Sequence, residues 1–335
     1  MSAGNAVFSI FSFLTLVLAS IPLFWHIEAW NAGMCLYIVW TALGNLLYFV
    51  NSVIWEGNTV NWASVWCDIS TKFMVGLTIG LPAASLCINR RLYKIANIRK
   101  VVIAKAEKRR DVMIDLCIGV GAPFVVMALQ YISQSHRFDI FEDIGCMPNN
   151  QNTWVALLVT QVPIIIITVI SGAYSIASAI AFKRREIELR ILLSSTSAPS
   201  PNRYLRLMCL AGINVVLTCF IVAASIIYSV NFGFQPWVSW DNIHFSFSQI
   251  DQQPATIWRS DPNRLTMLEL PRWIVVINGL LFFAFFGFAS EARKNYSKAY
   301  MAIIRCLCFR KFEKSNVKDS DAYVTFNCLS NICQY

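Results

Sequence analysis

The sequence predicts an all-α integral membrane protein, a seven-helix bundle with its N-terminus outside the cell and its C-terminus in the cytoplasm. Hydrophobic residues make up 56% of the 335 residues and charged residues 14%, whereas soluble proteins carry about 25% charged residues. Seven stretches of about 20 residues are apolar enough to cross a bilayer, and basic residues are concentrated in alternate connecting segments. This pattern excludes a soluble enzyme, a nucleic-acid-binding protein and a disordered chain, despite a net charge of +9.

The predicted spans are bounded by charged or turn residues. They are Ala6–Trp25, Ala32–Trp55, Ser64–Ile88, Val112–Ser133, Trp154–Phe182, Leu205–Asn231 and Arg272–Ser290. The first differs from a cleaved secretory signal, because such signals need a basic residue ahead of the apolar core and none precedes Lys72. We therefore assign residues 1–290 to one seven-span domain.

The distribution of basic residues determines the predicted orientation. Residues 89–111, 183–204 and 291–335 together carry 22 of the 28 Lys and Arg residues, whereas residues 134–153 and 232–272 carry four. Cytoplasmic loops of membrane proteins are enriched in Lys and Arg. The first three segments are therefore predicted to face the cytoplasm.

Two charged residues interrupt the third span near its outer end. Asp68 and Lys72 are four residues apart, so they share one helical face and can pair. Charge inside a bilayer is costly, and intramembrane ionisable residues therefore often mark functional sites. The pair is either a self-neutralised boundary pair or a polar anchor for a ligand that arrives from outside.

Small residues and prolines shape the predicted spans. The stripe of Gly76, Gly80 and Ala84 in span three allows a close helix approach, either within the bundle or in a homodimer. Pro123 and Pro163 lie inside spans four and five, where each is expected to kink its helix or to free a backbone carbonyl.

Two cysteines lie at the predicted outer surface. Cys67 lies at the outer end of the third span and Cys146 lies in the second outer loop, Gln134–Thr153, in a compartment oxidising enough for disulfides. The other outward-facing segments contain no cysteine, so each is the expected partner of the other. A bridge would hold the loop over the bundle, and two free thiols are the alternative.

The third outer segment, Phe232–Pro271, is long and aromatic. Trp237, Trp240 and His244 lie within it. Such side chains suit a belt at the membrane interface and equally suit a lid over a ligand, and the sequence leaves both interpretations open.

Basic clusters end the third and fifth spans on the predicted inner side. Their residues are Asn89, Arg90, Arg91, Lys183, Arg184 and Arg185. Such clusters attract anionic membrane lipids and equally suit a cytoplasmic protein partner. Residues 291–312 have the spacing of an amphipathic helix on the inner membrane surface, with Cys306 and Cys308 as candidate palmitoylation sites. Residues 313–335 are predicted to be a short, disordered cytoplasmic tail.

The sequence contains none of the common catalytic or phosphate-binding motifs. HExxH, GxSxG and a phosphate-binding glycine loop are absent, and span seven has no lysine for a retinal Schiff base. His26, His136 and His244 are widely separated along the chain. We predict that the protein is not an enzyme and that it has no cofactor, no catalytic residue and no metal site.

Three stretches resemble one protein family. They are LPAASLCINRRLYKIA (Leu81–Ala96), QSHRFDIFEDIGC (Gln134–Cys146) and SWDNIHFSFSQI (Ser239–Ile250). They closely resemble the fungal receptors for lipopeptide mating pheromones, which form the a-factor receptor family within class D of the G-protein-coupled receptors. The resemblance covers about residues 5–305.

The resemblance implies a multi-pass plasma-membrane receptor whose ligand is a peptide pheromone with a farnesylated C-terminal cysteine. It also implies a heterotrimeric G protein that starts a mating response. Together with the third-span pair, the candidate ligand contacts are Asp68, Lys72, His136, Phe138, Asp139, Glu142, Trp237, Trp240 and His244. The two inner basic clusters would face the G protein.

Two other functions compete with a receptor. A seven-span carrier or channel would line a polar path with Asp68, Lys72 and Asp115. A membrane scaffold without signalling activity is the third alternative.

Overall fold

Apolar helices form the framework of the protein, as seen in a computed structural model that describes residues 3–28, 30–97, 105–184 and 201–288. The helices are α1 (Ala3–Ser20), α2 (Leu23–Glu28), α3 (Ala32–Ile54), α4 (Ser64–Asn97), α5 (Lys105–Leu116), α6 (Ala122–Leu129), α7 (Trp154–Ala156), α8 (Val162–Arg184), α9 (Pro201–Phe232), α10 (Trp240–Ile243), α11 (Ala255–Trp258) and α12 (Pro262–Phe286). A 3₁₀ turn, Gln130–Ser133, follows α6. Met1–Phe286 forms one compact unit; nearly all of the second, Gly287–Tyr335, lies outside the described residues.

Six helices within the described ranges are long and apolar enough to cross a membrane. They are Ala32–Ile54, Ser64–Asn97, Lys105–Ser133, Trp154–Arg184, Tyr204–Phe232 and Pro262–Phe286. The apolar part of α1, Gly4–Ser20, is shorter than these. Large apolar side chains such as Ile166, Val169 and Val216 are exposed on the outside of the bundle, as expected of surfaces that face lipid.

The first predicted span is divided between two helices. We predicted one helix over Ala6–Trp25, but α1 ends at Ser20 and α2 begins at Leu23. Pro22 lies between them, and proline lacks a backbone N–H and disfavours helical geometry in the residue before it. The hydropathy of the stretch does not reveal this break, because Pro22 sits inside a continuous apolar run.

Two wide helical turns accommodate the prolines of spans four and five. The π-helical turns Cys117–Gly121 and Leu157–Gln161 each end two residues before a proline, Pro123 or Pro163. Proline cannot donate to the carbonyl four residues earlier, which for Pro123 is the carbonyl of Gly119. The indole Nε1 of Trp40 donates to this carbonyl at 2.9 Å, so a neighbouring helix satisfies the acceptor.

Helix α4 lies at the centre of the bundle, where it packs against α3, α6, α8 and α9. Its small residues allow this close packing. A Cβ atom on Gly80 would lie 2.4 Å from the ring of Trp40, and one on Gly76 would lie 2.6 Å from the sulfur of Met127. The small-residue stripe is therefore covered by neighbouring helices of the same chain.

A three-stranded sheet joins two loops at one end of the bundle. Its strands are β1 (Phe138–Phe141), β2 (Gly145–Met147) and β3 (Ile250–Gln253), in the order β2-β1-β3. Strand β1 pairs antiparallel with β2 and parallel with β3. Gly145 has φ +88°, and a Cβ there would lie 2.6 Å from Asn51, so the hairpin needs glycine at this position.

Candidate functional site

The sheet is attached to one end of the bundle, which we call the sheet end. A disulfide joins Cys67, in the first turn of α4, to Cys146 in β2, with 5.3 Å between the Cα atoms. Asn51, near the end of α3, donates from Nδ2 to the carbonyl of Cys146 at 3.2 Å. Phe138 packs with Trp55 around the disulfide. These contacts fix the hairpin across the ends of α3 and α4.

Asp68 and Lys72 contact different residues rather than each other. Arg137 donates from Nε to Oδ1 of Asp68 at 2.7 Å and from its Nη2 to Oδ2. Lys72 donates from Nζ to the Oε1 atoms of Gln130 and Gln134, at 2.5 and 2.6 Å. Contacts with the chain around the second loop thus replace the predicted pairing within one helix, because folding brings better-placed partners to both charges.

Aromatic rings gather beside Lys72. Its Nζ lies 5.7 Å from the ring centroid of Tyr131, close enough for a cation–π contact. Around Tyr131 lie Trp240, His244 and Phe247, with centroid separations of 5.7, 5.1 and 5.3 Å. We call these four rings the aromatic cluster. It brings the third predicted outer segment over the end of the fourth span.

Trp237 lies in the same segment, just before α10. Its side chain is half-buried, and its indole Nε1 is buried without a hydrogen-bond acceptor among the described residues. An indole N–H that is withdrawn from water usually has an acceptor. This donor is therefore available to a bound molecule.

A second polar group lies at the edge of the sheet. His136 Nε2 lies 2.6 Å from Asp139 Oδ1 and 3.9 Å from Asp251 Oδ2. The hydrogen bond with Asp139 raises the pKa of His136 above its usual value, partial burial opposes this shift, and the charges of Asp139 and Asp251 reinforce it. The three side chains come from two loops that are far apart in sequence.

Two predicted ligand contacts have structural partners within the loops. Phe138 is fully buried in the cluster around the disulfide, so contact with a ligand would require that cluster to open. Glu142 accepts from the backbone N–H of Ala255 at 2.7 Å, and its carbonyl accepts from Trp258 Nε1 at 3.2 Å. Both residues hold the loops together in this conformation.

At the opposite end of α4, which we call the basic end, the predicted inner cluster is tied to other helices. Arg90 donates from Nη2 to Oδ1 of Asp115 at 2.8 Å. Asn89 donates to Ser171 Oγ at 3.0 Å. Arg91 donates to the carbonyl of Trp30 at 2.8 Å. These contacts join α4 to α5, to α8 and to the residues just before α3.

A further contact at the basic end involves Tyr204, which was not among the predicted site residues. Tyr204, near the start of α9, donates from its hydroxyl to the carbonyl of Leu92 at 3.1 Å. Its ring stacks on Phe182 at 4.7 Å between centroids. The contacts connect α9 to α4 and α8. Lys183 and Arg184 are exposed nearby in the chain.

Three of the predicted site residues lie outside the described ranges. They are Arg185, Cys306 and Cys308. Arg137, Tyr131 and Asp251 were not among the predicted site residues. They respectively pair with Asp68, centre the aromatic cluster and complete the group of His136 and Asp139. All three lie in or beside the predicted outer loops, but no spacing rule links them to their partners.

The fold defines the class of the protein. Six helices can cross a membrane, and the sheet of β1, β2 and β3 with its connecting loops, which we call the loop layer, lies at one end of them. This arrangement identifies a multi-pass α-helical membrane protein. The family model described as "Pheromone A receptor" matches residues 7–307. The chain therefore belongs to the pheromone A receptor family, a family of receptors rather than enzymes.

Curated relatives support this assignment. The Pheromone B alpha 3 receptor of Schizophyllum commune is 44% identical over 90% of this chain and 48% of its own length. Pheromone receptor 1 of Mycosarcoma maydis is 32% identical over 91% of this chain and 86% of its own. The Pheromone a factor receptor of Saccharomyces cerevisiae is 26% identical over 90% of this chain and 63% of its own. The chain spans about half the length of the Schizophyllum receptors that it matches.

Proposed function

We propose that this chain is a G-protein-coupled receptor for a farnesylated peptide mating pheromone at the plasma membrane. Membership of the pheromone A receptor family carries the proposal. Within this proposal, the sheet end faces the outside and receives the pheromone. The basic end faces the cytoplasm and contacts a heterotrimeric G protein.

The contacts between helices support this orientation. Asn5, at the start of α1, donates to the carbonyl of Ser52 at 2.9 Å, and α3 ends beside the sheet. Helix α1 therefore begins at the sheet end and runs as a first, short span towards the basic end. A disulfide at the sheet end suits an oxidising exterior, and basic residues at the other end suit the cytoplasm.

The aromatic cluster and Lys72 form the proposed pheromone contact region. A prenyl chain is apolar and gains about 0.8 kcal/mol per buried methylene, so it would supply most of the affinity. Aromatic rings offer apolar surface to such a chain. Polar groups such as the Trp237 N–H would distinguish the peptide portion.

Activation requires that the pheromone bind one conformation more tightly than another. The contacts of Tyr204 with Leu92 and of Asn89 with Ser171 close the basic end between α4, α8 and α9. We infer that pheromone binding favours a conformation in which these contacts are broken. The exposed Lys183 and Arg184 would then meet the G protein beside the opened surface.

The carrier or channel alternative is less well supported. Lys72 and Arg90, the partner of Asp115, are 18 residues apart on α4, which corresponds to about 27 Å along a helix. Between them, every residue from Met74 to Ile88 except the exposed Thr78 is buried, and most are apolar. The three ionisable residues therefore do not line one continuous polar path.

A reporter strain of yeast that lacks its own pheromone receptor tests the proposal. The full chain is expressed in it and challenged with synthetic farnesylated peptides, each paired with the same peptide lacking the farnesyl group. We expect a dose-dependent response to at least one farnesylated peptide, lost when the Gα subunit is deleted. A chain that reaches the surface but responds to no peptide of a broad panel would contradict the proposal. Equal potency of both peptide forms would contradict the role of the prenyl group.

A further inference from the structure

The group formed by His136, Asp139 and Asp251 has the composition and geometry of a metal site. Their inward-facing atoms, one imidazole nitrogen and one carboxylate oxygen from each aspartate, lie within 4.8 Å of one another. The side chains of His136 and Asp139 are only 14% and 16% exposed, and that of Asp251 is 38% exposed. The group is partly enclosed but can be reached from solvent.

Strand pairing places two like charges face to face. Asp139 on β1 and Asp251 on β3 are direct partners in the parallel register. Like charges opposite each other destabilise a sheet, so this pairing favours a cation between the two carboxylates. A protonated His136 supplies one positive charge there, whereas a divalent ion supplies two.

Each of the three side chains also has a polar partner at the atom that faces away from the group. Ser135 Oγ lies 3.3 Å from Nδ1 of His136, the nitrogen that faces away from the group. Asn149 donates to Oδ2 of Asp139 at 3.2 Å, and Gln249 donates to Oδ1 of Asp251 at 2.8 Å. The outer atom of each ligand candidate thus has a hydrogen-bond partner, while the inner atoms converge. Metal ligands in proteins are typically oriented by such outer partners.

The distances fit a small ion after modest movement. Zn²⁺ binds nitrogen and oxygen at about 2.0–2.2 Å in tetrahedral geometry, which puts neighbouring ligand atoms about 3.3 Å apart. The separations of His136 Nε2 from the two carboxylates, 2.6 and 3.9 Å, lie on either side of this value. The carboxylate oxygens of Asp139 and Asp251 lie within 4.8 Å of each other. Shifts of about 1 Å or less in each side chain therefore bring all three separations to this value.

The sequence predicts no metal site, because Asp251 is far from His136 along the chain and only the pairing of β1 with β3 brings them together. We propose instead that His136, Asp139 and Asp251 form a binding site for a divalent transition-metal ion, with Zn²⁺ as the preferred occupant. The imidazole selects such ions over Mg²⁺ and Ca²⁺, which prefer oxygen ligands alone. Three protein ligands leave the fourth position to water or to a ligand group. The ion links the second-loop hairpin to β3 and so stabilises the pairing of the two loops.

Zinc titration of the purified full chain in detergent tests this site without any pheromone. The protein is first treated with a chelator and then titrated with ZnCl₂ at neutral pH by calorimetry, with MgCl₂ in parallel. We expect one Zn²⁺ per chain, no comparable binding of Mg²⁺, and a rise in the thermal unfolding temperature. The D251N variant should weaken Zn²⁺ binding by more than about tenfold, since loss of even an outer-shell partner costs 10–100-fold. D251N should still fold, because it removes the repulsion from Asp139.

H136Q is the second test variant, and D241N and H244N are matched controls. Asp241 and His244 lie in the same outer segment as Asp251 but outside the group, so both controls should bind Zn²⁺ like the unchanged chain. The proposal is overturned if the unchanged chain binds no stoichiometric Zn²⁺. It is equally overturned if D251N and H136Q bind as tightly as the controls, since the group is then an ion pair with a protonated histidine. Because these readouts use no pheromone, they remain separate from the test of receptor function.

Discussion

The sheet end and the basic end of the bundle are stabilised by different kinds of contact. At the sheet end, a disulfide and strand pairing fix the loops, and the ion pair of Asp68 with Arg137 is well exposed, at 40% and 36% of the two side chains. At the basic end, buried non-covalent contacts join separate helices. There the side chains of Arg90 and Asp115 are only 13% and 4% exposed.

This difference matches the two tasks of the proposed receptor. A covalent link keeps the loop layer in place while side chains rearrange around a ligand. Contacts such as that of Tyr204 with Leu92 can break and re-form, as a change of conformation requires. We therefore expect variants at the sheet end to affect assembly and ligand response, and those at the basic end to affect the equilibrium between conformations.

The largest effect on stability is expected at the buried ion pair of the basic end. Replacing Arg90 by Ala leaves the carboxylate of Asp115 buried without its charged partner, and breaking a buried pair in this way costs about 3–5 kcal/mol. Thermal unfolding of the purified chain measures the loss. K94A is the matched control, because Lys94 and its partner Asp111 are more exposed. Equal losses in both variants would show that burial does not distinguish these pairs.

Removal of the disulfide at the sheet end is expected to have the next largest effect. Loss of a native disulfide typically costs about 2–5 kcal/mol, and C67S should lower surface expression and pheromone response as much as C146S does. The double variant should be no worse than either single one, because one bond is lost in each case. C219S, which changes a free cysteine, should behave like the unchanged chain. Clearly different phenotypes of C67S and C146S would contradict the bridge.

The sequence predicts the helices better than their ends. Helix α3 begins at the predicted residue Ala32, and α4 begins at the predicted Ser64. However, α4 continues beyond the apolar run to Asn97, because arginine and lysine are good helix formers and Arg90 gains a partner on α5. Hydropathy predicts which residues lie in the membrane, whereas the residue at which a helix ends depends on its hydrogen bonds and charge partners.

The start of the last predicted span also differs from the start of its helix. It was predicted to start at Arg272, but α12 starts at Pro262. Arg272 is paired with Glu269 one turn earlier and lies over the ring of Phe8 at 4.1 Å. A charge that is neutralised inside the helix does not end it.

The candidate site was predictable as a region but not as a set of contacts. The residues that the structure brings together at the sheet end lie in the predicted outer loops and at the outer ends of the second, third and fourth predicted spans. The partners themselves are distant in sequence: Asp68 and Arg137 are 69 residues apart, and β1 pairs with β3 across a separation of more than 100 residues. Local periodicity carries no information on such pairings, which depend on how the helices pack.

A smaller effect is expected from the hydroxyl of Tyr204. The Y204F variant keeps the ring on Phe182 but loses the hydrogen bond to Leu92, which contributes about 0.5–1.5 kcal/mol. If the bond exists only in the closed conformation, basal signalling in the reporter strain should rise by about two- to tenfold. Y131F removes a tyrosine hydroxyl at the sheet end, away from this contact, and should leave basal signalling unchanged. If Y204F leaves basal signalling unchanged, the contact persists in both conformations.

The smallest effect is expected at the exposed pair of Asp68 and Arg137. Exposed ion pairs contribute about 0.2–1 kcal/mol, because water screens the charges and both side chains lose freedom. R137Q should therefore lower the unfolding temperature far less than R90A does, and added salt should reduce the difference from the unchanged chain. If R137Q were as damaging as R90A, the loop layer would depend on this pair rather than on the disulfide. The distinction between a covalently fixed end and a non-covalently closed end would then fail.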